Sequence, residues 1–545
     1  MRLLHAPLCA ASLLLFIPAQ EFKAQAQQPP PGVPTLRVTS TLVFLDVTVL
    51  DKSGHPVVSG LARNDFTITE DKKPQRIFSF EAPQTHVMDA AAGDDNRAGK
   101  APVTILVLDL LNSDFADFAF IRYSVKEFLE RQPAKLPAPA ELMVVGNQSL
   151  EMLQSYTRNR AELLDALNRL PAALPIKKMD SYFFWDRFQQ SIDALQQIAL
   201  QNKGVPGRKN VIWVGHGGPG INLYGPDFSE QDVEGLKQYV HSTANMLVDS
   251  RISLFVIYPG LKVTGREMSI SGMDADADIG DDDPFSGDIN FGVFANETGG
   301  KLYYDRNDID RLIARSQLLG SEYYTLTYQP QDQDHVANGR FRRIRVTLRD
   351  RNLRVVTKAG YFAPDRNERE YPRQQAMDNL AEAAQAVIPF TALGVQVSGV
   401  VRHPDTDTAE LTVQLKAKNL HWMQTDDGKH TANLILAAVS LNGDKDILAS
   451  KIERVAITPV VQDPVRDAAP QEEAVASMPV TVRIPRKTKS VRVVMETETG
   501  GRIGTADVDL KTIDAAPEAP TPEPTLTVPF RRSTHRPPYV RPSSP

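Results

Sequence analysis

Cysteine is almost absent from this sequence of 545 residues, since Cys9 is the only one. It lies ahead of the core of a short apolar run and inside a segment that we expect to be cleaved. The mature chain then has no disulfide and no cysteine-ligated metal. An excess of basic residues is also lacking, because 61 Lys and Arg residues stand against 67 Asp and Glu residues. This mildly acidic balance argues against nucleic acid as a partner.

A long hydrophobic run is lacking as well. The apolar stretch near the N-terminus, with its core at Leu13 to Ile17, falls far short of the roughly 18 residues that a membrane span needs. Arg2 precedes it, and Ala24-Gln-Ala26 follows as an A-x-A cleavage signal. These features predict a secretory signal peptide, with an uncleaved anchor as the alternative. We expect a secreted or periplasmic (cell-envelope) protein that does not span the membrane after signal cleavage.

The length of the chain predicts several domains, because one hydrophobic core does not extend over 545 residues. The 39 prolines indicate linkers and a tail. Composition and periodicity predict these segments: a signal peptide (1–26), a linker (27–35), a β segment (36–83), an α/β domain (102–330), a β-hairpin segment (331–364), a linker with a short helix (365–388), a β-sandwich domain (389–512) and a disordered Pro-rich tail (513–545).

Short strands alternate with periodic helices between residues 102 and 330, which is typical of a doubly wound, mostly parallel sheet. Segments 141–146 and 150–155 leave no room for a helix and predict an antiparallel hairpin at the sheet edge. The β segments 36–83 and 341–361 bracket this domain, and we expect them to pair into one β-sandwich into which it is inserted. The other predicted strands of the parallel sheet are 104–109, 210–215, 252–258, 301–304 and 322–328.

Three polar residues follow the first strand of the α/β domain. The apolar run from Thr104 ends at Asp109, and Asn112 and Ser113 come directly after it. Open parallel sheets bind ligands at the carboxyl ends of their strands. The three side chains are therefore candidates for contact with a ligand, although Leu111 among them has no polar atom.

Short landmarks in order along residues 36–364 give the chain a family resemblance. It resembles the acidobacterial von Willebrand factor A (vWA)-related family, which implies the Rossmann-like vWA fold and a protein-binding or adhesion role. The landmarks are Asp46-Val-Thr-Val-Leu-Asp51, Asp65-Phe66, Leu108-Asp109-Leu-Leu-Asn112, Val211-Ile-Trp-Val214, Ile252-Ser-Leu-Phe-Val-Ile-Tyr258, Glu297-Thr-Gly-Gly300, Tyr323-Tyr324 and Gly360-Tyr-Phe-Ala-Pro364.

The resemblance also implies a metal-ion-dependent adhesion site, whose first loop reads Asp-x-Ser-x-Ser. Asp109 and Ser113 match that pattern, with Asn112 as an extra oxygen, but Leu111 stands where the middle serine belongs. The second loop offers Ser181 beside Asp180 in place of a threonine. The third loop lacks its aspartate, and no carboxylate follows until Asp227. We therefore expect a degenerate site that binds Mg²⁺ or Ca²⁺ weakly or not at all.

The third loop reads Gly215-His-Gly-Gly-Pro-Gly220 and formally fits the dinucleotide pattern G-x-G-x-x-G. The glycines do not open a helix directly, so a ligand-face loop is the better interpretation. His216 supports an alternative function, a cell-envelope hydrolase that uses this histidine with Asp109. That alternative needs a nucleophile or a metal, and the sequence shows neither.

An acidic insertion follows the strand that ends at Tyr258, and we expect it on the same face as Asp109. Its aspartates include Asp274, Asp276 and Asp278, but Ile279 and Phe285 stand where an EF-hand needs glycine and an acid. A solvated acidic loop and weak Ca²⁺ binding are both open. The main hypothesis is a non-catalytic module that binds a protein or an envelope polymer.

Overall fold

The computed structural model describes residues 42–88, 100–146, 150–170, 181–223, 229–260, 283–330, 339–363, 372–420, 422–424, 430–457, 475–499 and 501–516. All of them belong to one folded unit of the chain. The predicted signal peptide, the linker 27–35, residues 517–545 of the predicted tail and most of the acidic insertion lie outside these residues. Within the described part, no helix is both long and apolar enough to cross a membrane.

The chain first forms four short strands that do not belong to the α/β body. They are β1 (Val43–Leu50), β2 (Phe66–Glu70), β3 (Lys73–Gln75) and β4 (Ile77–Glu81). Their burial alternates along β2, where Phe66 and Ile68 are buried and Thr67 is exposed. This period of two is what a sheet with one face on a core requires.

The α/β body follows, and its elements are listed here in chain order. They are β5 (Val103–Asp109), α1 (Phe115–Glu130), β6 (Lys135–Val145), β7 (Leu150–Asn159), α2 (Arg160–Arg169), α3 (Ser181–Gln201), β8 (Lys209–Val214), β9 (Ile221–Asn222), α4 (Glu230–Asp249), β10 (Ile252–Pro259), β11 (Asp288–Ile289), α5 (Phe291–Glu297), β12 (Lys301–Arg306) and α6 (Ile309–Ser321). A capping box formed by Ser229 and Asp232 begins α4.

The central sheet has the strand order β12-β10-β8-β5-β6-β7, and only β7 runs antiparallel to its neighbour. The predicted edge hairpin is thus formed by β6 and β7. Every residue of β5, β8 and β10 is buried, because helices cover both faces of the sheet. Helices α3, α4 and α5 pack on one face, and α1, α2 and α6 pack on the other. The doubly wound α/β fold expected from the sequence is confirmed.

One strand was predicted in the wrong sheet. Residues 322–328 form β13 (Tyr324–Tyr328), which pairs antiparallel with β1 and β4 instead of joining the parallel sheet. All five of its residues are buried, so its apolar pattern could not indicate which sheet it would join. A buried contact fixes the choice, since Thr325 Oγ1 donates to Asp46 Oδ1 of β1 at 2.9 Å.

Segments from both sides of the α/β body share two sheets. One has the order β15-β1-β13-β4 and the other β16-β14-β2-β3, with β14 (Phe341–Leu348), β15 (Arg354–Val356) and β16 (Gly360–Phe362). Val346 of β14 lies opposite Ile68 of β2. The two sheets bury one common core, which includes Leu45, Ile68, Leu326 and Val346. The α/β body is therefore inserted between β4 and β13.

The C-terminal part begins with α7 (Pro372–Gln385) and continues as strands. These are β17 (Gln396–His403), β18 (Thr408–Lys416), β19 (Met423–Gln424), β20 (His430–Leu441), β21 (Ile447–Ile457), β22 (Val475–Arg483), β23 (Ser490–Thr497) and β24 (Ile503–Asp509), followed by α8 (Leu510–Asp514). A sheet of β17, β18 and β22 and a sheet of β19, β20, β21, β23 and β24 share one core. The sequence did not predict β24.

The C-terminal sheets also share a core with the α/β body. Ile435 and Val494 lie on the far side of their sheet and pack in one cluster with Leu380 of α7 and with Ile192 of α3. Arg492 fixes α7 from within the sheet, because it pairs with Asp507 and donates to the carbonyl of Ala383 at 3.2 Å. The two C-terminal sheets are thus packed against the α/β body through a continuous apolar layer.

Glu141 in β6 is a fully buried acid on the face that packs against α3. Gln201 Nε2 donates to its Oε2 at 3.3 Å, and its other oxygen has no hydrogen-bond partner among the described residues. Burial raises the pKa of Glu141 to about 8, although the hydroxyl of Tyr156 and the amide of Gln201 favour the charged form.

We predict that Glu141→Gln flattens the pH dependence of stability. Between the ordinary carboxyl pKa of 4.5 and the folded value of about 8, the folded chain keeps a proton that the unfolded chain has lost. Stability therefore falls as pH rises through this window, by at most about 1.4 kcal/mol per pH unit, and levels off above it. Urea midpoints at pH 5 to 9 measure the effect. Equal slopes in the wild type and the variant would contradict it.

Candidate functional site

The candidate site lies where the strand order of the central sheet reverses. The chain leaves β5 toward β6 and β7 and later returns to β8 on the other side of β5. At such a switch point the loops after the two strands separate and leave a crevice at the carboxyl edge, where α/β proteins bind ligands. Here the two loops are 110–114, after β5, and 215–220, after β8.

Asp109 is the last residue of β5, and its carboxylate is enclosed by N–H donors. The backbone N–H of Asn112 donates to Oδ1 at 2.9 Å, and the backbone N–H of Gly217 donates to Oδ2 at 2.7 Å. Trp213 Nε1, on β8, donates to Oδ2 at 3.1 Å. Asp109 is 0% exposed, so these bonds are made in a dry environment where hydrogen bonds to a charge are strong.

Burial and hydrogen bonding act in opposite directions on the acidity of Asp109. Burial raises its pKa above the ordinary value, while the hydrogen bonds from Asn112, Trp213 and Gly217 oppose that rise. The net shift is upward. The carboxylate therefore depends on its donors, and removing any of them leaves more uncompensated charge in the interior.

Asn112 contributes its amide nitrogen to the site instead of the oxygen that the sequence suggested. Its Nδ2 donates to both carboxylate oxygens of Asp109 at 3.1 Å and to Ser191 Oγ at 3.0 Å. Its Oδ1 accepts from Nε of Arg187 at 3.0 Å. This orientation is the only one that satisfies its neighbours, because a carboxylate can only accept and a guanidinium can only donate.

The glycines of the loop after β8 serve close packing. A Cβ on Gly215, which has φ +141°, would lie 2.4 Å from Cβ of Asp109. A Cβ on Gly217, which has φ +68°, would lie 2.6 Å from the ring of Phe291. The loop thus folds onto Asp109 and α5, and then enters the short strand β9. This path agrees with a ligand-face loop and not with a loop that opens a helix around a phosphate.

His216 pairs with an aspartate that the sequence analysis did not consider. Its Nε2 lies 3.0 Å from Oδ2 of Asp117, in the first turn of α1. The alternative pairing of His216 with Asp109 was wrong, because Asp109 points into the interior and is occupied by other donors. Ser113 Oγ makes no hydrogen bond within the described part of the chain, so it is not activated by His216.

Several predicted site residues cannot be placed at the crevice. Ser181 begins α3, but its side chain lies outside the described residues. Asp227, Asp274, Asp276, Asp278 and the candidate Asp180 also lie outside them. The end of the acidic insertion is described, and there Asp283 pairs with Nε2 of His241 at 2.8 Å and accepts from the backbone N–H of Phe285.

The residues at this edge do not fit a hard divalent cation. Both oxygens of Asp109 face N–H donors, which a cation would repel. Leu111, at the position of the middle serine, is 5% exposed and packs in the core. Among the described residues, no group of three or more acidic, histidine or cysteine side chains could hold a metal ion. Mg²⁺ needs near-octahedral oxygen ligands, and the arrangement around Asp109 supplies nitrogens instead.

Sequence reasoning missed four residues that build this site: Asp117, Arg187, Ser191 and Trp213. Two signals pointed to them. Trp213 lies two residues before Gly215, and positions two apart on a strand point to the same face of the sheet. The side chain of Trp213 is therefore on the face where the loop after β8 begins. Asp117 follows Asp114 by three residues at a helix start, and Asp114 accepts from its backbone N–H. Arg187 and Ser191 are one helical turn apart on α3, but nothing in the sequence indicated which neighbours they would contact.

Exposed aromatic side chains lie at the same edge of the sheet as the candidate site. They sit at the starts of α1 and α3 and near the end of β12, which all lie at the carboxyl edge because the strands are parallel. Tyr304 contacts Tyr258, and the ring of Tyr258 lies 5.6 Å from that of His216. We call these residues the aromatic rim: Phe115 (55% exposed), Phe184 (42%), Trp185 (42%) and Tyr304 (47%).

We predict that Gly215→Ala destabilises the fold by about 2 kcal/mol or more, because its Cβ would overlap Asp109 at a backbone angle that alanine rarely adopts. Gly235→Ala is the control. Gly235 lies within α4, and a Cβ added there would meet no other atom within 4 Å. Alanine at this position therefore stabilises the fold by up to about 1 kcal/mol. Thermal unfolding measures both. A Gly215→Ala protein as stable as the wild type would refute the close approach of the loop to Asp109.

No protein-family model matches the chain, and no curated protein matches it. Among solved structures, it is similar to the SpRpn10 VWA domain, with 18% identity, 29% of this chain and 76% of that chain covered, and a TM-score of 0.18. It is also similar to the manganese-loaded TRAP protein of Plasmodium vivax, with 10% identity, 49% and 96% covered, and a TM-score of 0.24. Structural similarity at these TM-scores shows neither a shared family nor a shared role. The α/β fold rests on the observed strand order, which is the Rossmann-like arrangement that the vWA resemblance implies.

Proposed function

We propose that the chain is a secreted or periplasmic binding module of the acidobacterial vWA-related family. Its α/β body binds a protein or an envelope polymer at the carboxyl edge of the central sheet, through a degenerate metal-ion-dependent adhesion site and without catalysis. The proposed location rests on the signal-peptide pattern of residues 1–26. The paired sheets on either side support β-sandwich units that flank this body.

The aromatic rim is the observation that carries this proposal. Large apolar side chains that stay exposed around a concave edge are typical of an interaction surface. Trp and Tyr are enriched at the centres of protein interfaces, where they contribute most of the binding energy. Trp185 and Tyr304 each expose more than two fifths of their surface, and both lie at the carboxyl edge of the central sheet. A partner that covers both would bury the loops that hold Asp109.

The chemistry of the crevice favours binding over catalysis. The pair of His216 and Asp117 resembles part of a catalytic triad, but a triad also needs a nucleophile bonded to the histidine. The nearby hydroxyl of Ser113 is buried and makes no hydrogen bond among the described residues. Asp109 is 0% exposed and cannot reach a substrate. These groups hold the loops in place and leave contact with a ligand to the rim.

We predict that Trp185→Ala and Tyr304→Ala each weaken binding to isolated cell-envelope material at least about tenfold, which corresponds to the roughly 1.4 kcal/mol or more expected of an interface anchor. The measurement is the bound fraction of labelled chain as its concentration rises. Phe78→Ala is the matched control, since Phe78 is 67% exposed on β4, outside the α/β body. If the rim variants bind like the wild type, or if the control loses as much affinity, the proposed site is wrong.

A further inference from the structure

The inference concerns the place that the vWA resemblance assigns to a divalent cation. Asn112 Nδ2 lies 3.1 Å from each oxygen of Asp109 and 3.0 Å from Ser191 Oγ. A cation bound by Asp109 on the side of its carboxylate that faces α3 would have to lie where this amide lies. We propose that the side-chain amide of Asn112 is a built-in substitute for the cation, so that the site is assembled without metal.

The amide takes the structural role that a cation would have, which is to hold the loops together. A cation holds loops together because several oxygens converge on it. Here the amide nitrogen joins Asp109 of β5 to Ser191 of α3, and the other face of the carboxylate accepts from Gly217 of the loop after β8. Three segments of the chain therefore meet at one buried carboxylate, with hydrogen bonds of 2.7 to 3.1 Å.

The positive charge comes from Arg187. Its Nε donates to Oδ1 of Asn112 at 3.0 Å, so the guanidinium lies on the side of the amide that faces away from Asp109. It polarises the amide, which strengthens the N–H bonds that the amide donates to the carboxylate. A cation and this guanidinium would repel each other, which adds to the obstruction by the amide.

The consequence is a binding surface that does not depend on divalent cations. This consequence rests on the proposed function, because it concerns capture of a partner by the same edge. The cation test itself needs no partner. If the rim variants bind normally but no cation binds at Asp109, the proposed function fails and the inference stands. If a cation binds at Asp109 and the rim is required, the inference fails and the proposed function stands.

The first experiment measures uptake of Mn²⁺ by the full chain after treatment with EDTA, from the electron paramagnetic resonance signal of free Mn²⁺. We expect no Asp109-dependent uptake with a Kd tighter than about 1 mM, the weak end for extracellular cation sites. Asp109→Asn is the comparison, because any uptake that it leaves unchanged belongs to other carboxylates and agrees with the inference. Uptake by the wild type that Asp109→Asn abolishes would overturn it.

The second experiment restores the adhesion-site pattern in two steps. Leu111→Ser alone gives Asp-x-Ser-x-Ser but keeps the amide, and we expect it to bind no Mn²⁺. Leu111→Ser combined with Asn112→Gly removes the amide, and we expect it to take up more Mn²⁺ than Leu111→Ser alone, with a Tm that rises on adding it, although the third loop still lacks its aspartate. Binding by the single variant would show that leucine, not the amide, excludes the cation. A folded double variant that binds none would also contradict the inference. If it does not fold, the wild-type comparison still decides.

Discussion

The site depends on one buried carboxylate that is kept in the interior by hydrogen bonds. Asp109 connects the end of β5 to β8 through Trp213 and to the loop after β8 through Gly217. It is connected to α3 through Asn112. An isolated buried charge is costly, so this arrangement is stable only if every donor is present. The close approach of the loop after β8 to Asp109 also leaves no room for a Cβ at Gly215.

The base of the α/β body is held by a second set of buried charges. Arg251, just before β10, pairs with Asp46 of β1, and burial, which alone would raise the pKa of Asp46, is outweighed by this pair so that the pKa is lowered. Arg208, just before β8, donates to Thr48 of β1 and to Ser253 of β10. These contacts join the flanking strands to the amino ends of the parallel strands, opposite the candidate site.

Much of the fold could be predicted from the sequence because its periodicity is local. Ile121 and Val125 follow helical spacing, and the apolar runs of β5 and β8 follow from burial on both faces. The partner of β13 could not be predicted, since five buried residues suit either sheet. At the site, Asp109 was found from its place after a strand, but the role of Asn112 depends on Arg187, which is 75 residues away in the sequence. Such a contact exists only once α3 has packed.

The two ends of the α/β body have different roles, and these follow from where charge is buried. At the amino ends of the strands, ion pairs fix the flanking sheets, and on one side face of the body the C-terminal sheets pack against α3 through a shared apolar layer. Helix α3 also carries half of the aromatic rim, and its residues from Phe188 to Leu200 pack in this layer. A rim on rigid elements loses little conformational entropy on binding. Aromatic anchors on that support therefore suit the binding role proposed for this edge.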